Sequence, residues 1–193
     1  MRSHERLDVV MKMRGMAFLM CVASVGLVAA EDPIWEAPVA LFTSMGCGEG
    51  PAWDGGDSLY FTDLENSRIH RLTLSSGEVV TVKEETGRTN GLAWTAEGRL
   101  LMCEAQAGQL GRWKPGSAES EVLAVHPLEG RKGGPNDVSI DGQGKVYYTV
   151  PGHGRVYRLG PDHVPGAQAS LWAEVKGING VLATADGRRV FAT

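Results

Sequence analysis

The sequence predicts an all-β fold, a β-propeller of four-stranded blades, from three observations. A fifteen-residue phrase recurs four times, its copies stand 41, 46 and 43 residues apart, and helical periodicity is nearly absent after Glu31. The copies begin at Glu49 (EGPAWDGGDSLYFTD), Asn90 (NGLAWTAEGRLLMCE), Asn136 (NDVSIDGQGKVYYTV) and Asn179 (NGVLATADGRRVFAT). Units of about 40–45 residues holding several short strands are the mark of propeller blades.

Each element of the unit has its own sequence signal. The lead residue opens a short apolar and small-residue run, the innermost strand. A Gly/Asp-rich turn separates it from a second, β-prone run: Leu59 to Thr62, Leu100 to Cys103, Val146 to Val150. A third run alternates in polarity, as in Arg68-Ile69-His70-Arg71-Leu72 and Arg155-Val156-Tyr157-Arg158-Leu159, and so reads as a half-buried strand. Turns at Ser75-Ser76-Gly77 and Pro115-Gly116-Ser117 lead to a fourth run, Val79 to Val82, Val122 to Val125 and Leu171 to Val175. A β-sandwich would also supply short strands and turns, but it does not repeat a whole four-strand unit. Three units are complete and the fourth stops at Thr193. The chain is therefore read as about three and a half blades, with further blades expected beyond it.

Residues 1–30 read as an export signal rather than as part of the fold. Arg2, Arg6, Lys12 and Arg14 precede the apolar run Met16 to Ala30, which ends in small residues. That run is shorter than the roughly 20 residues a membrane span requires. The expected division is a signal peptide over 1–30 and an incomplete propeller domain over 31–193, in a periplasmic or secreted protein with no membrane attachment once the signal is cleaved. A net charge of −4 leaves no basic stripe for nucleic acid. Cys47 and Cys103, the two cysteines after the signal, are too few for a disulfide scaffold, and the sequence leaves open whether they pair.

The repeat also points to chemistry, because equivalent lead residues of a propeller occupy equivalent places around one centre. Glu49, Asn90, Asn136 and Asn179 would bring one carboxylate and several amide oxygens together. Such a set suits one hard divalent cation, Ca²⁺ first, then Mg²⁺ or Mn²⁺. Zn²⁺ is less well served, since no His or Cys occupies these slots. A second reading stands beside this one. Asn before Gly is a common turn pair, which accounts for Asn90 with Gly91 and applies to Asn179 with Gly180, and Asn136 with Asp137 could form a side-chain turn. The spacing of Asp54, Asp57 and Glu65 echoes a calcium loop but lacks its middle ligands, and reads as a hairpin turn. His4, His70, His126, His153 and His163 have no ligand spacing and read as surface or loop residues. No nucleophile elbow and no phosphate loop occurs.

At these phrases the chain resembles the senescence marker protein, gluconolactonase and luciferin-regenerating-enzyme family. The matching residues are Glu49-Gly50-Pro51 with Trp53, Leu59 to Asp63, Asn90-Gly91-Leu92, Leu100 to Glu104, Gly134 to Val138, and Asn179-Gly180 with Asp186-Gly187-Arg188. The resemblance implies a six-bladed propeller, one central divalent cation and hydrolysis of a small-molecule sugar lactone. It implies Glu49 and Asn179 as metal ligands, with Asn136 beside the metal and, together with Asp137, facing water or substrate. The family's remaining ligand and acid/base Asp would fall beyond Thr193, so no catalytic residue is assigned within the chain. Ala105 stands where many bacterial relatives have His. Two other readings remain open: a non-catalytic binding propeller or inactive fragment, and a strictosidine-synthase-like or paraoxonase-like enzyme.

Overall fold

The computed structural model describes residues 42–126 and 133–193 of the chain. The segment read as a signal peptide and its boundary at Glu31 lie outside the described residues, as does His4. The predicted blades form in the predicted order. Strands β1 (Gly48–Trp53), β2 (Ser58–Asp63), β3 (Arg68–Thr73) and β4 (Val79–Lys83) make the first antiparallel sheet. The second contains β5 (Thr89–Trp94), β6 (Leu100–Glu104), β7 (Gln109–Trp113) and β8 (Ser120–Val125). The third contains β9 (Val138–Ile140), β10 (Val146–Val150), β11 (Arg155–Leu159) and β12 (Ser170–Glu174), and β13 (Val181–Ala183) pairs with β14 (Val190–Ala192) as the start of a fourth.

The second strand of each of the first three blades is buried on both faces, which explains its largely apolar character. Side chains alternate across a strand, so neighbouring residues serve different blade interfaces. Leu100 and Met102 pack with Ala52, Tyr60 and Ile69 of the first blade, whereas Leu101 and Cys103 pack with Val138, Val146 and Tyr148 of the third. Tyr147 turns the other way, toward Ile178, Val181 and Ala183. Full burial of each such side chain contributes about 1.5–3 kcal/mol before entropy is counted. The core is therefore a series of wedges between blades rather than one central mass, and the innermost strands stand side by side. Cys47 and Cys103 are both free thiols.

Two details differ from the sequence reading. Asn90 and Gly91 do not form a turn: they lie inside β5, where the register slips between Thr89 and Leu92. Gly50 and Pro51 occupy the matching irregularity in β1, between Glu49 and Ala52. These are bulges, which re-aim a side chain while keeping the strand paired. His70, expected at the surface or in a loop, is buried in β3, while His126 and His163 lie in loops as expected but are buried there.

Candidate functional site

The four lead residues line one recess of about 370 Å³, together with Gly50, Gly91, Asp137, Ser139, Val181 and Leu182. The arrangement follows from the repeat, because each lead residue stands at the start of an innermost strand and those strands are neighbours. Glu49 and Asn90 sit within β1 and β5 at the two bulges, while Asn136 and Asn179 lie two residues ahead of β9 and β13. Among the described residues, the side-chain amides of Asn90, Asn136 and Asn179 make no hydrogen bond, so their oxygens remain available to the recess.

Asp137 has a different setting. Its carboxylate accepts from the backbone N–H of Val138 at 2.9 Å and of Val181 at 2.8 Å, tying the third blade to the fourth. Burial nevertheless holds its carboxyl above the ordinary range, with those two hydrogen bonds pulling the other way. Burial also raises the Glu49 carboxyl, and the nearby Asp137 charge raises it further, against a hydrogen bond from Gly50. Two acidic groups thus face one recess with ionisation resisted. A cation bound there would relieve both effects.

The donor set accordingly fits a hard cation: one carboxylate at Glu49 and amide oxygens from Asn136 and Asn179, with Asn90 in the fourth equivalent slot. No group of three His, Cys, Asp or Glu side chains converges among the described residues, so a cation in the recess would rely on amide oxygens beside Glu49. Glu104, the other buried carboxylate near this end of the blades, is engaged by Gln109 Nε2 at 2.6 Å and does not line the recess.

Below Glu49, Asp63 fixes the chain entering the first blade. Its carboxylate accepts from Gly46 N at 3.2 Å and from Asn66 Nδ2 at 2.7 Å. Burial pushes its carboxyl up, but hydrogen bonds from Asn66, Cys47 and Gly46 prevail and leave it below the usual range. His70 packs against the Phe42 and Phe61 rings, which also touch each other, and its Nε2 is 3.9 Å from Asp63.

A polar cluster missed by the sequence reading joins the second and third blades. His126 Nε2 lies 2.6 Å from the Tyr148 hydroxyl, and the His126 ring sits 4.3 Å from that of Tyr157. Burial, with His153 nearby, lowers the His126 imidazole from 6.5 to about 4, so it is neutral in the folded protein. The unfolded chain takes up this proton near pH 6.5 while the folded protein refuses it until about 4. Its stabilising effect is complete above that window and is lost as pH falls through it. His126→Gln is expected to flatten this part of the curve of Tm against pH; an unchanged slope would remove His126 from the account.

Comparison with known proteins places this geometry. No curated protein matches the sequence. Among solved structures, a gluconolactonase from Xanthomonas campestris is similar, with 25% identity and a TM-score of 0.67 over 79% of this chain and 56% of that one. Luciferin-regenerating enzyme shares 18% identity with a TM-score of 0.61, covering 80% of this chain and 54% of that one. A chain of the nidogen/laminin complex, at 17% identity and a TM-score of 0.67, covers 81% of this chain and 59% of its own length, and shows likeness of fold alone. The chain thus spans just over half the length of these structures. The sequence model of the SMP-30/gluconolactonase/LRE-like region matches residues 47–193, and with the blade architecture described above it establishes that the chain belongs to the SMP-30/gluconolactonase/LRE-like family.

Proposed function

We propose that the whole protein is a divalent-metal-dependent sugar-lactone hydrolase, and that Glu49, Asn136 and Asn179 hold its cation, Ca²⁺ before Mg²⁺, Mn²⁺ or Zn²⁺. The observation that carries this reading is the convergence of equivalent residues from four blades on one recess, where a half-buried carboxylate meets unpartnered amides. When bound, the cation would act as a Lewis acid toward the lactone carbonyl and the oxyanion formed on water addition. With its oxygen turned to the cation, Asn136 would have its amide N–H₂ left to orient water or the lactone, while Asp137 keeps the adjoining backbone in place and adds negative potential. Val181 and Leu182 give the recess an apolar wall that limits competing water. Asp137 and Glu104 are already engaged by Val181, Val138 and Gln109. No described residue is therefore assigned the role of taking the proton from attacking water. The basic and apolar leader supports a periplasmic or secreted location.

The test is hydrolysis of glucono-δ-lactone by the intact gene product, followed by acid release, after chelation and after return of each cation. Activity that chelation abolishes and Ca²⁺ restores supports the reading; full activity in the chelated protein overturns it. A binding propeller without turnover is favoured by the engagement of both nearby carboxylates, and would show cation binding with no acid release.

A further inference from the structure

We infer that Thr149 is a positioning residue that couples two of the cation's ligand residues across a blade boundary, an inference that rests on the cation reading proposed above. Thr149 is fully buried in β10. Its backbone carbonyl accepts from Asn136 N at 2.9 Å, and its own N–H donates to Asp137 O at 2.9 Å. Its hydroxyl accepts from Asp137 N at 3.0 Å and donates to the backbone carbonyl of Asn179 at 2.6 Å. One residue thus holds Asn136 through its backbone, and its side chain ties Asp137 of the third blade to the Asn179 backbone of the fourth. A hydroxyl can do this because it donates and accepts at once.

The repeat supplies an internal control. Thr62 holds the equivalent place in β2, and its hydroxyl donates to the carbonyl of Asn90 at 2.9 Å. The bond is chemically the same, but Asn90 is outside the proposed ligand set. In the second blade Cys103 takes the place of Thr, and the carbonyl of Asn136 receives the Gly91 N–H at 2.7 Å instead. The hydroxyl bridge is therefore made at two boundaries and is absent at the one between them. At Thr149 alone the bridge ends on one proposed ligand residue, Asn179, and on the neighbour of another, the Asp137 N–H beside Asn136. Partners that orient metal ligands in this way change affinity by about 10- to 100-fold when removed.

Valine matches the shape of threonine but can neither donate nor accept. Thr149→Val, Thr149→Ser and Thr62→Val in the full chain would be compared by calorimetric titration with Ca²⁺ and by Tm in the presence of chelator. Both valine variants are expected to lower the chelated Tm, Thr149→Val by more because it loses two hydrogen bonds where Thr62→Val loses one. Only Thr149→Val is expected to weaken Ca²⁺ binding, by about 10-fold or more, and Thr149→Ser is expected to restore it. If Thr149→Val does not fold, Thr149→Cys replaces it, since the chain already carries Cys in the equivalent place, and weakened affinity is again expected. Unchanged affinity in the Thr149 variant, or an equal loss in Thr62→Val, overturns the positioning role. No Ca²⁺ binding by the unsubstituted protein overturns the cation reading and this inference with it.

Discussion

Glu49→Gln is expected to weaken divalent-cation binding by about 100-fold or more while leaving the metal-free protein at least as stable as its parent at neutral pH. The first effect is electrostatic. Two opposite unit charges 4 Å apart attract by about 4 kcal/mol at an effective dielectric constant near 20, and ligand charge is the main determinant of calcium affinity. Gln retains an oxygen donor but loses the charge, and Asn136 and Asn179 supply none. The second effect has the opposite sign and comes from the raised Glu49 carboxyl. Above the pH at which an unfolded Glu loses its proton, the folded protein still holds it. Stability of the metal-free parent therefore falls as pH rises from about 4.5 through the raised value. Gln removes that slope. Cation affinity in the parent should also fall as acid protonates Glu49, and should do so at higher pH than for an ordinary carboxylate.

The two effects separate a ligand from a structural residue. A cation at 100 times its dissociation constant stabilises the folded parent by about 2.7 kcal/mol, a shift that Glu49→Gln should lose. Tm would be measured from acid to neutral pH, with chelator and with saturating Ca²⁺. A variant that is less stable than the parent in chelator, yet gains the full Ca²⁺ shift, would show that Glu49 supports the fold and does not hold the ion.

Much of this arrangement was legible because a propeller writes its geometry as a period. The runs Leu59 to Thr62, Leu100 to Cys103 and Val146 to Val150 are continuous because both faces of those strands are buried, and their spacing marks one blade each. The lead residues could be found for the same reason: equivalence in the repeat becomes proximity around a centre. The environments of these residues were less accessible. Asn90-Gly91 resembles a turn pair in isolation, and only its place in β5 beside the third blade shows that Gly91 serves a close approach to Asn136 and Asp137. Asp137 replaces the Gly that follows the lead residue elsewhere, and its carboxylate reaches the next blade at Val181, a contact 44 residues away. His126 meets Tyr148 22 residues further on, across a blade boundary and outside the repeated phrase, so no local pattern announces its burial. Periodicity reports which positions are equivalent; it does not report which partner each will meet.

Gly50→Ala and Gly91→Ala are expected to be strongly destabilising for single-methyl changes, and the reason is the same closeness of the lead phrases. Gly50 has a φ of +49°, and a Cβ there would overlap the backbone carbonyl oxygen of Asn90. At Gly91 a Cβ would lie 2.8 Å from the Asp137 Cα and 2.9 Å from the Asn136 carbonyl oxygen. These obstacles are backbone atoms of the neighbouring blade, so relief requires the blades to separate around the recess. A left-handed conformation costs a non-glycine residue about 1–2 kcal/mol, and overpacking about 1–3 kcal/mol or more. Gly50→Ala incurs both, for about 2–5 kcal/mol, a large part of the roughly 5–15 kcal/mol that holds a domain folded. Gly91→Ala incurs the packing cost alone. Gly98→Ala isolates the conformational term, because Gly98 has a φ of +70° and nothing within 4 Å of the added carbon. Urea denaturation should rank the losses as Gly50, Gly91, then Gly98. The first two should also weaken cation binding, because moving either blade separates Glu49 from Asn136 and Asn179. Should Gly50→Ala cost no more than Gly98→Ala, the close approach of the first two blades would not be what requires glycine after Glu49.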